Sequence, residues 1–156
     1  NHLNTGRPDP DSHIFNRYAS NYLDESNEPL YPFGYGLSYT DFVYGELQIS
    51  SETLPKNGEL TVSVTVTNKG NYDGYETVQL YLRDIYAEVA RPMKELKGFE
   101  RIFLKSGESR DVKFVITKDD LKFYNSELHY VYEPGEFDVM VGPNSRDVQT
   151  KSFQAE

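Results

Sequence analysis

The stretch Leu60-Thr61-Val62-Ser63-Val64-Thr65-Val66-Thr67 alternates apolar and hydroxyl side chains without interruption. A period of two is typical of a β-strand that buries one face and exposes the other. The same period recurs in three further sets: Val78, Leu80 and Leu82; Val112, Phe114 and Ile116; and Phe137, Val139 and Val141. Weaker strand candidates are residues 42–50, 95–104, 128–132 and 148–153.

Turn residues separate these runs. Asn57-Gly58, Gly70-Asn71, Ser106-Gly107 and Pro134-Gly135 stand between consecutive strand candidates. Thr117 is a good N-cap and predicts one helical turn between two sheets. Seven or eight short strands at this spacing predict an all-β protein with an immunoglobulin-like (fibronectin type III-like) antiparallel β-sandwich. We place this sandwich at residues 41–156 and an extended arm at residues 1–40.

The amino-acid composition argues against several classes of binding partner and cofactor. The net charge is −9, which argues against a nucleic-acid partner because phosphate binding relies on a basic surface. The chain has no cysteine, which excludes disulfides and thiolate metal sites. No apolar run approaches the roughly 20 residues that span a bilayer, so we predict no membrane partner. The three histidines are scattered, and no glycine-rich phosphate cradle opens a helix, so we predict neither a metal nor another cofactor.

Residues 30–42 (LYPFGYGLSYTDF), here called the connector, join the arm to the first strand. Seven aromatic side chains lie in residues 1–40, and their burial would gain roughly 25–45 kcal/mol. Ordering the backbone of residues 1–40 costs on the order of 40–80 kcal/mol of conformational entropy. The arm therefore needs a larger surface to dock on. We predict that interdomain packing in the connector involves Tyr31, Phe33, Tyr35, Leu37 and Tyr39.

The loop of residues 84–93 is unusually apolar for a connection between two strands. It either packs back on the sandwich or contacts a neighbour, and we favour the neighbour. Ile85, Tyr86 and Met93 therefore join the predicted interdomain contacts. The basic residues from Arg83 to Lys105 alternate with acidic ones, which predicts a solvated surface of mixed charge.

Other candidate sites have simpler explanations. Asp119-Asp120 is a carboxylate pair, but it falls in a turn where aspartate is favoured for capping. His129 alternates with its neighbours in a predicted edge strand, which favours a surface position. Ser38 lacks the Gly-x-Ser-x-Gly context of a nucleophile elbow. The sequence predicts no catalytic residue in this chain.

Three stretches together resemble the C-terminal part of glycoside hydrolase family 3, which contains β-glucosidases and β-xylosidases. They are residues 29–42 (PLYPFGYGLSYTDF), 91–108, which begin RPMKELKGFER, and 133–142 (EPGEFDVMVG). Residues 4–8 (NTGRP) resemble a segment found upstream in bacterial periplasmic-type members. The resemblance implies a fibronectin type III-like domain preceded by the tail of an α/β domain, residues 1–40. It also implies a periplasmic or secreted protein.

In that family the catalytic nucleophile belongs to a barrel domain and the acid/base generally to the α/β domain, so no catalytic residue transfers to this chain. The parent would be a retaining exo-β-glycosidase that hydrolyses terminal β-D-glycosyl residues, and this fragment would have no activity of its own. The implied partners are the upstream catalytic domains of the same polypeptide, with a β-linked saccharide at the domain edge as a further option.

Three alternatives remain at this point. A carbohydrate-binding module would stack outward-facing Tyr75 or Tyr81 on sugar rings. An adhesion or assembly domain of a surface protein would share the sandwich but rarely carries such an arm. A free-standing enzyme would turn over a β-glucoside by itself.

Overall fold

The computed structural model describes residues 29–89 and 91–156. The arm prediction for residues 1–28 lies outside the described residues. The longest strands correspond to the clearest alternation in the sequence. In chain order the elements are β1 (Phe42–Tyr44), β2 (Gln48–Ile49), β3 (Thr53–Leu54), β4 (Glu59–Asn68), β5 (Gly74–Asp84), β6 (Glu95–Leu104), β7 (Ser109–Thr117), α1 (Lys118–Leu121), β8 (Phe123–Tyr124), β9 (Tyr130–Val131), β10 (Gly135–Gly142) and β11 (Gln149–Ala155).

Two sheets form the sandwich. In the first sheet, β4 is central, with β7 on one side and the short strands β1 and β2 on the other. The second sheet has the order β3-β11-β10-β5-β6. Its pairs are antiparallel except for β3 and β11, which run parallel. The predicted fibronectin type III-like sandwich is confirmed, with one parallel edge pair that the sequence did not indicate.

The core lies between the two sheets. Leu60, Val62, Val64 and Val66 point inward from β4. They pack against the inward residues of the second sheet. These are the residues that the alternation predicted to be buried: Val78, Leu80, Leu82, Phe137, Val139 and Val141. Burial of this apolar surface is the main term that holds the two sheets together.

The described residues form eleven strand segments, more than the seven or eight predicted. Residues 42–50, predicted as one strand, are divided between β1 and β2. The cause is Leu47, which turns into the core and is almost fully buried. Its backbone N–H donates to the side-chain oxygen of Gln149, 2.9 Å away, and therefore leaves the ladder with β4.

The predicted helical turn after Thr117 is confirmed as α1. A carboxylate oxygen of Asp120 accepts from both the backbone N–H and the hydroxyl of Thr117, each at 2.8 Å. Asp119 pairs with Lys122 at 2.6 Å, and this contact lowers the pKa of the Asp119 carboxyl. Asp120 therefore caps the N-terminus of α1, and Asp119 pairs with the residue that follows its C-terminus. His129 is exposed, as predicted.

The prediction that Tyr81 is available for sugar stacking is wrong. Its side chain is on the outer side of β5, as alternation indicates, yet it is 1% exposed. Its hydroxyl donates to the side-chain oxygen of Gln79, and burial raises the pKa of Tyr81 to about 12. Alternation identifies the face of a side chain but not what covers that face.

A half-buried carboxyl lies where β1 meets β5. The Tyr44 hydroxyl donates to Oε1 of Glu76 at 2.6 Å. Burial raises the pKa of Glu76 above its ordinary value, although the hydrogen bonds from Tyr44 and the Thr77 backbone oppose the shift. Burial likewise raises the pKa of Tyr44. Ionisation of the Glu76 carboxyl is therefore less favourable in the folded chain than in the unfolded chain.

We expect Glu76→Gln to increase the free energy of unfolding at pH 7 and to have much less effect at pH 4. The folded-state pKa is raised, so Glu76 favours folding below its unfolded pKa, and this contribution is lost as pH rises through the folded pKa. Glutamine keeps an oxygen for the Tyr44 hydroxyl and removes the charge. The measurement is urea unfolding at both pH values, with the exposed Glu59→Gln as control. Equal effects of the two variants would contradict the assignment.

Candidate docking surface

The connector makes a tight turn over the outer side of the second sheet. The Tyr35 N–H donates to the Pro32 carbonyl at 3.1 Å. Gly34 occupies the third position of this turn with a φ of +77°, which favours glycine because it has no Cβ. The sequence Pro-Phe-Gly-Tyr therefore selects the turn, and the turn sets the directions of the flanking aromatic side chains.

The side chain of Gln79 holds this turn against the sheet. Its Nε2 donates to the carbonyl of Gly34 at 3.1 Å and to the carbonyl of Pro143 at 2.5 Å. A Cβ added to Gly34 would lie 1.9 Å from Oε1 of Gln79. The Ser145 N–H also donates to the Phe33 carbonyl at 2.9 Å. The backbone at the turn is thus fixed by three hydrogen bonds and a close approach that only glycine permits.

The connector is fixed a second time at Thr40, which is buried. The Thr40 hydroxyl donates to Oδ1 of Asn68 at 2.6 Å. Asn68 is completely buried, and its Nδ2 donates to the carbonyls of Tyr72 and Leu104 at 2.8 and 3.1 Å. A Cβ added to Gly70 would lie 2.2 Å from the Thr40 hydroxyl oxygen. This small polar pocket holds the end of the connector where β1 begins.

Most apolar side chains of the connector nevertheless point into solvent, whereas Pro32 is buried and Phe42 packs against the core. Leu37 is 89% exposed and Tyr39 is 97% exposed. Tyr31, Phe33 and Tyr35 are also exposed, and the rings of Tyr31 and Tyr35 lie 5.5 Å apart. A backbone fixed at two points therefore presents a row of apolar side chains outward.

The loop of residues 84–93 begins at the opposite end of β5. Arg91 donates to Asp84 at 2.8 Å and to Glu95 at 3.1 Å, and its guanidinium lies 4.8 Å from the ring centroid of Phe123. This largely buried pairing fixes both ends of the loop. Tyr86 projects from the loop and is 80% exposed. Ile85 is half-buried, and the side chain of Met93 is 36% exposed.

Ser145 brings the two predicted contact regions together. Its N–H binds the connector at Phe33, and its carbonyl accepts from Nζ of Lys94, the residue after Met93, at 2.6 Å. Sequence reasoning did not identify Gln79, Ser145 or Asn68 as parts of this surface. A polar residue at position 79 in an apolar strand is the available signal, because a buried amide requires hydrogen-bond partners.

The described part of the chain contains no cluster of three or more side chains suited to hold a metal ion. None of its helices is long and apolar enough to cross a membrane. The exposed apolar side chains of the connector are the candidate contact surface among residues 29–89 and 91–156.

Comparison with known families and structures assigns the fold. Residues 76–145 match the model of the fibronectin type III-like domain. This chain carries a fibronectin type III-like domain. The match begins at residue 76 within β5 and continues past β10, so it includes Gln79, the loop of residues 84–93 and Ser145. The proposed boundary at residue 41 stays a prediction.

Several glycosidases contain a segment similar to this fibronectin type III-like chain. A periplasmic β-glucosidase of Salmonella typhimurium is 49% identical over 98% of the chain and 20% of its own length. A putative β-xylosidase of Formosa agariphila is 47% identical over 88% of the chain and 18% of its own length. The crystal structure of a β-glucosidase from Listeria innocua superposes with a TM-score of 0.85 and 44% identity, over 99% of this chain and 21% of that one.

The fibronectin type III-like chain thus spans about a fifth of the length of these relatives. The resemblance to the fibronectin type III-like domain of family 3 β-glucosidases and β-xylosidases is confirmed.

We expect Gly34→Ala to release the turn of the connector. The new Cβ would collide with Gln79, and alanine resists a positive φ, so the free energy of unfolding should fall by about 1–3 kcal/mol. Amide exchange at Tyr35 should become faster, because its bond to Pro32 depends on the turn.

The matched control is Gly36→Ala, two residues away. A Cβ at Gly36 meets no atom within 4 Å, so this variant should resemble the parent chain. If both variants lost the same stability, Gln79 would not be the restraint on the connector.

Proposed function

We propose that this chain is a non-catalytic accessory domain of a longer family 3 glycoside hydrolase. Its function would be to stabilise the catalytic domains and to hold them in a fixed orientation. The relatives that carry a matching segment are β-glucosidases and β-xylosidases several times longer than this chain, which supports the proposal. The longer protein would hydrolyse terminal β-D-glycosyl residues with catalytic residues located outside this chain.

The observation that carries the proposal is the contrast within the connector. Its backbone is held by Gln79, Ser145 and Asn68, whereas Leu37 and Tyr39 are almost fully exposed. A group of exposed apolar side chains on an ordered backbone is typical of an interaction site. A surface that is already ordered also loses little conformational entropy when a partner binds.

The loop of residues 84–93 extends the proposed contact. Tyr86 projects from a loop whose ends are joined by Arg91, so its ring is presented from a fixed base. Met93 stands next to Lys94, which reaches Ser145 beside the connector. Ile85, Tyr86 and Met93 would therefore complete the interdomain surface formed by Tyr31, Phe33, Tyr35, Leu37 and Tyr39.

The proposed location of the longer protein is the periplasm or the exterior of the cell. The support is the periplasmic β-glucosidase of Salmonella typhimurium, which matches 98% of this chain.

Phe33→Ala and Tyr39→Ala test the stabilising role in the longer protein. We expect each to lower its thermal unfolding midpoint by a few degrees, since burying one such ring contributes about 1.5–3 kcal/mol. The relative kcat/KM values for β-glucosides and β-xylosides should stay unchanged. Val115→Ala removes an exposed apolar side chain from β7 in the other sheet and serves as control. Altered substrate preference without loss of stability would instead indicate a sugar contact.

The 156-residue chain alone should neither bind nor hydrolyse saccharides. We expect no heat on calorimetric titration with cello- or xylo-oligosaccharides, and no turnover of a chromogenic β-glucoside. Saturable heat would favour the carbohydrate-binding module. Turnover that survives repurification would favour a free-standing enzyme.

A further inference from the structure

The outer face of β5 and β6 carries a second group of exposed side chains. Alternation directs the even-numbered residues Val78 and Ile102 into the core and the odd-numbered residues outward. The register pairs the outward residues directly across the two strands as Tyr75 with Phe103, Thr77 with Arg101 and Gln79 with Phe99. Phe99 is 66% exposed and Tyr75 is 54% exposed.

Arg101 occupies the centre of this face and lies over the ring of Tyr75. Its guanidinium carbon lies 3.9 Å from the ring centroid of Tyr75, and the Tyr75 ring in turn lies 5.0 Å from that of Phe103. Stacking on an aromatic ring restrains the guanidinium plane while its N–H edges stay available. Arg101 is itself exposed.

No carboxylate among the described residues pairs with Arg101, although the chain contains 25 acidic residues and has a net charge of −9. Two other basic residues of this region are paired: Arg91 with Asp84 and Glu95, and Lys97 with Glu95. The face therefore presents an oriented cation with aromatic side chains around it. Its electrostatic complement is a carboxylate set among apolar groups.

This face is continuous with the connector. Gln79 lies opposite Phe99 in the register, and the same Gln79 side chain binds the carbonyl of Gly34. The turn that carries Phe33 and Tyr35 therefore lies next to the outward row of β5 and β6. A partner that covers the connector at Gly34 would therefore lie beside Phe99, one outward position from Arg101.

We propose that Arg101, Tyr75, Phe99 and Phe103 form a second contact for the catalytic part of the same polypeptide. The partner surface is protein and presents a carboxylate to Arg101 between apolar side chains. This inference rests on the proposed accessory function and specifies the chemistry of the surface that the domain contacts. Arginine and aromatic residues together are the side chains that most often dominate the energy of such contacts.

A saccharide is the less suitable occupant. Sugar rings stack on flat aromatic faces, but Arg101 covers the ring of Tyr75. The neighbouring ring of Phe103 is inclined by 57° to that of Tyr75, so the two rings do not make a common plane.

The test is charge reversal in the longer protein. We expect Arg101→Glu to raise the rate of thermal inactivation about tenfold, because a central interfacial arginine carries a large share of contact energy. Lys113→Glu makes the same change of charge on β7 of the other sheet, and should alter the rate by less than about twofold. In the 156-residue chain alone, the two variants should unfold at similar temperatures.

Phe99→Ala provides a second variant that leaves the charge unchanged. It should accelerate inactivation of the longer protein while leaving the unfolding temperature of the isolated chain close to that of the parent. Hydroxyl-radical footprinting should show Phe99 and Tyr75 protected in the longer protein and reactive in the isolated chain.

The outcomes separate this inference from the accessory function. If Phe33→Ala and Tyr39→Ala destabilise the longer protein but Arg101→Glu and Phe99→Ala behave like Lys113→Glu, the second contact is wrong and the accessory function stands. If no variant on either surface has an effect, both proposals fail. Loss of a dimer of the isolated chain, or loss of oligosaccharide binding, on Arg101→Glu would assign the face to another occupant and overturn the inference.

Discussion

The side chain of Gln79 connects the sandwich to the segment that precedes it. Its amide nitrogen binds the carbonyls of Gly34 and Pro143, and its oxygen accepts from the Tyr81 hydroxyl. A buried amide is costly unless it is hydrogen-bonded, so the position of the connector and the satisfaction of Gln79 depend on each other. Loss of this group would leave the connector attached mainly through Thr40 and Ser145.

The consequence is an ordered apolar surface rather than a flexible tail. Two fixed points, at Gly34 and Thr40, determine the path of the backbone between them. Between these two points, Leu37 is 89% exposed and Tyr39 is 97% exposed. Folding of the sandwich therefore prepares the surface that we propose the catalytic domains cover.

The sequence predicted the sandwich well because alternation reports burial on one face directly. Leu60 to Val66 and the matching runs in β5, β7 and β10 lie where the pattern indicated. It predicted Tyr81 poorly, because period two cannot show which part of an outer face other chain segments cover. The sequence also did not show which of the basic residues between Arg83 and Lys105 pair with carboxylates. Only the folded register shows that Arg91 is paired while Arg101 stacks on Tyr75.

The residues that position the connector were harder to predict from the sequence than the residues of the core. The connector was identified from its own aromatic residues and glycines. By contrast, Gln79 and Ser145 are separated from Gly34 and Phe33 by 45 and 112 positions (79 − 34 and 145 − 33), so no local pattern relates them. The short strand β3 was missed for the same reason, since it pairs only with the distant strand β11.

The backbone of Ser145 has a mechanical consequence. Its N–H binds the connector and its carbonyl binds Lys94, so this one residue sets the separation between the two projecting regions. A body that rests on both must match that separation, and a displacement imposed on one is transmitted to the other. The domain would then bind its partner and also select the partner geometry that matches this spacing.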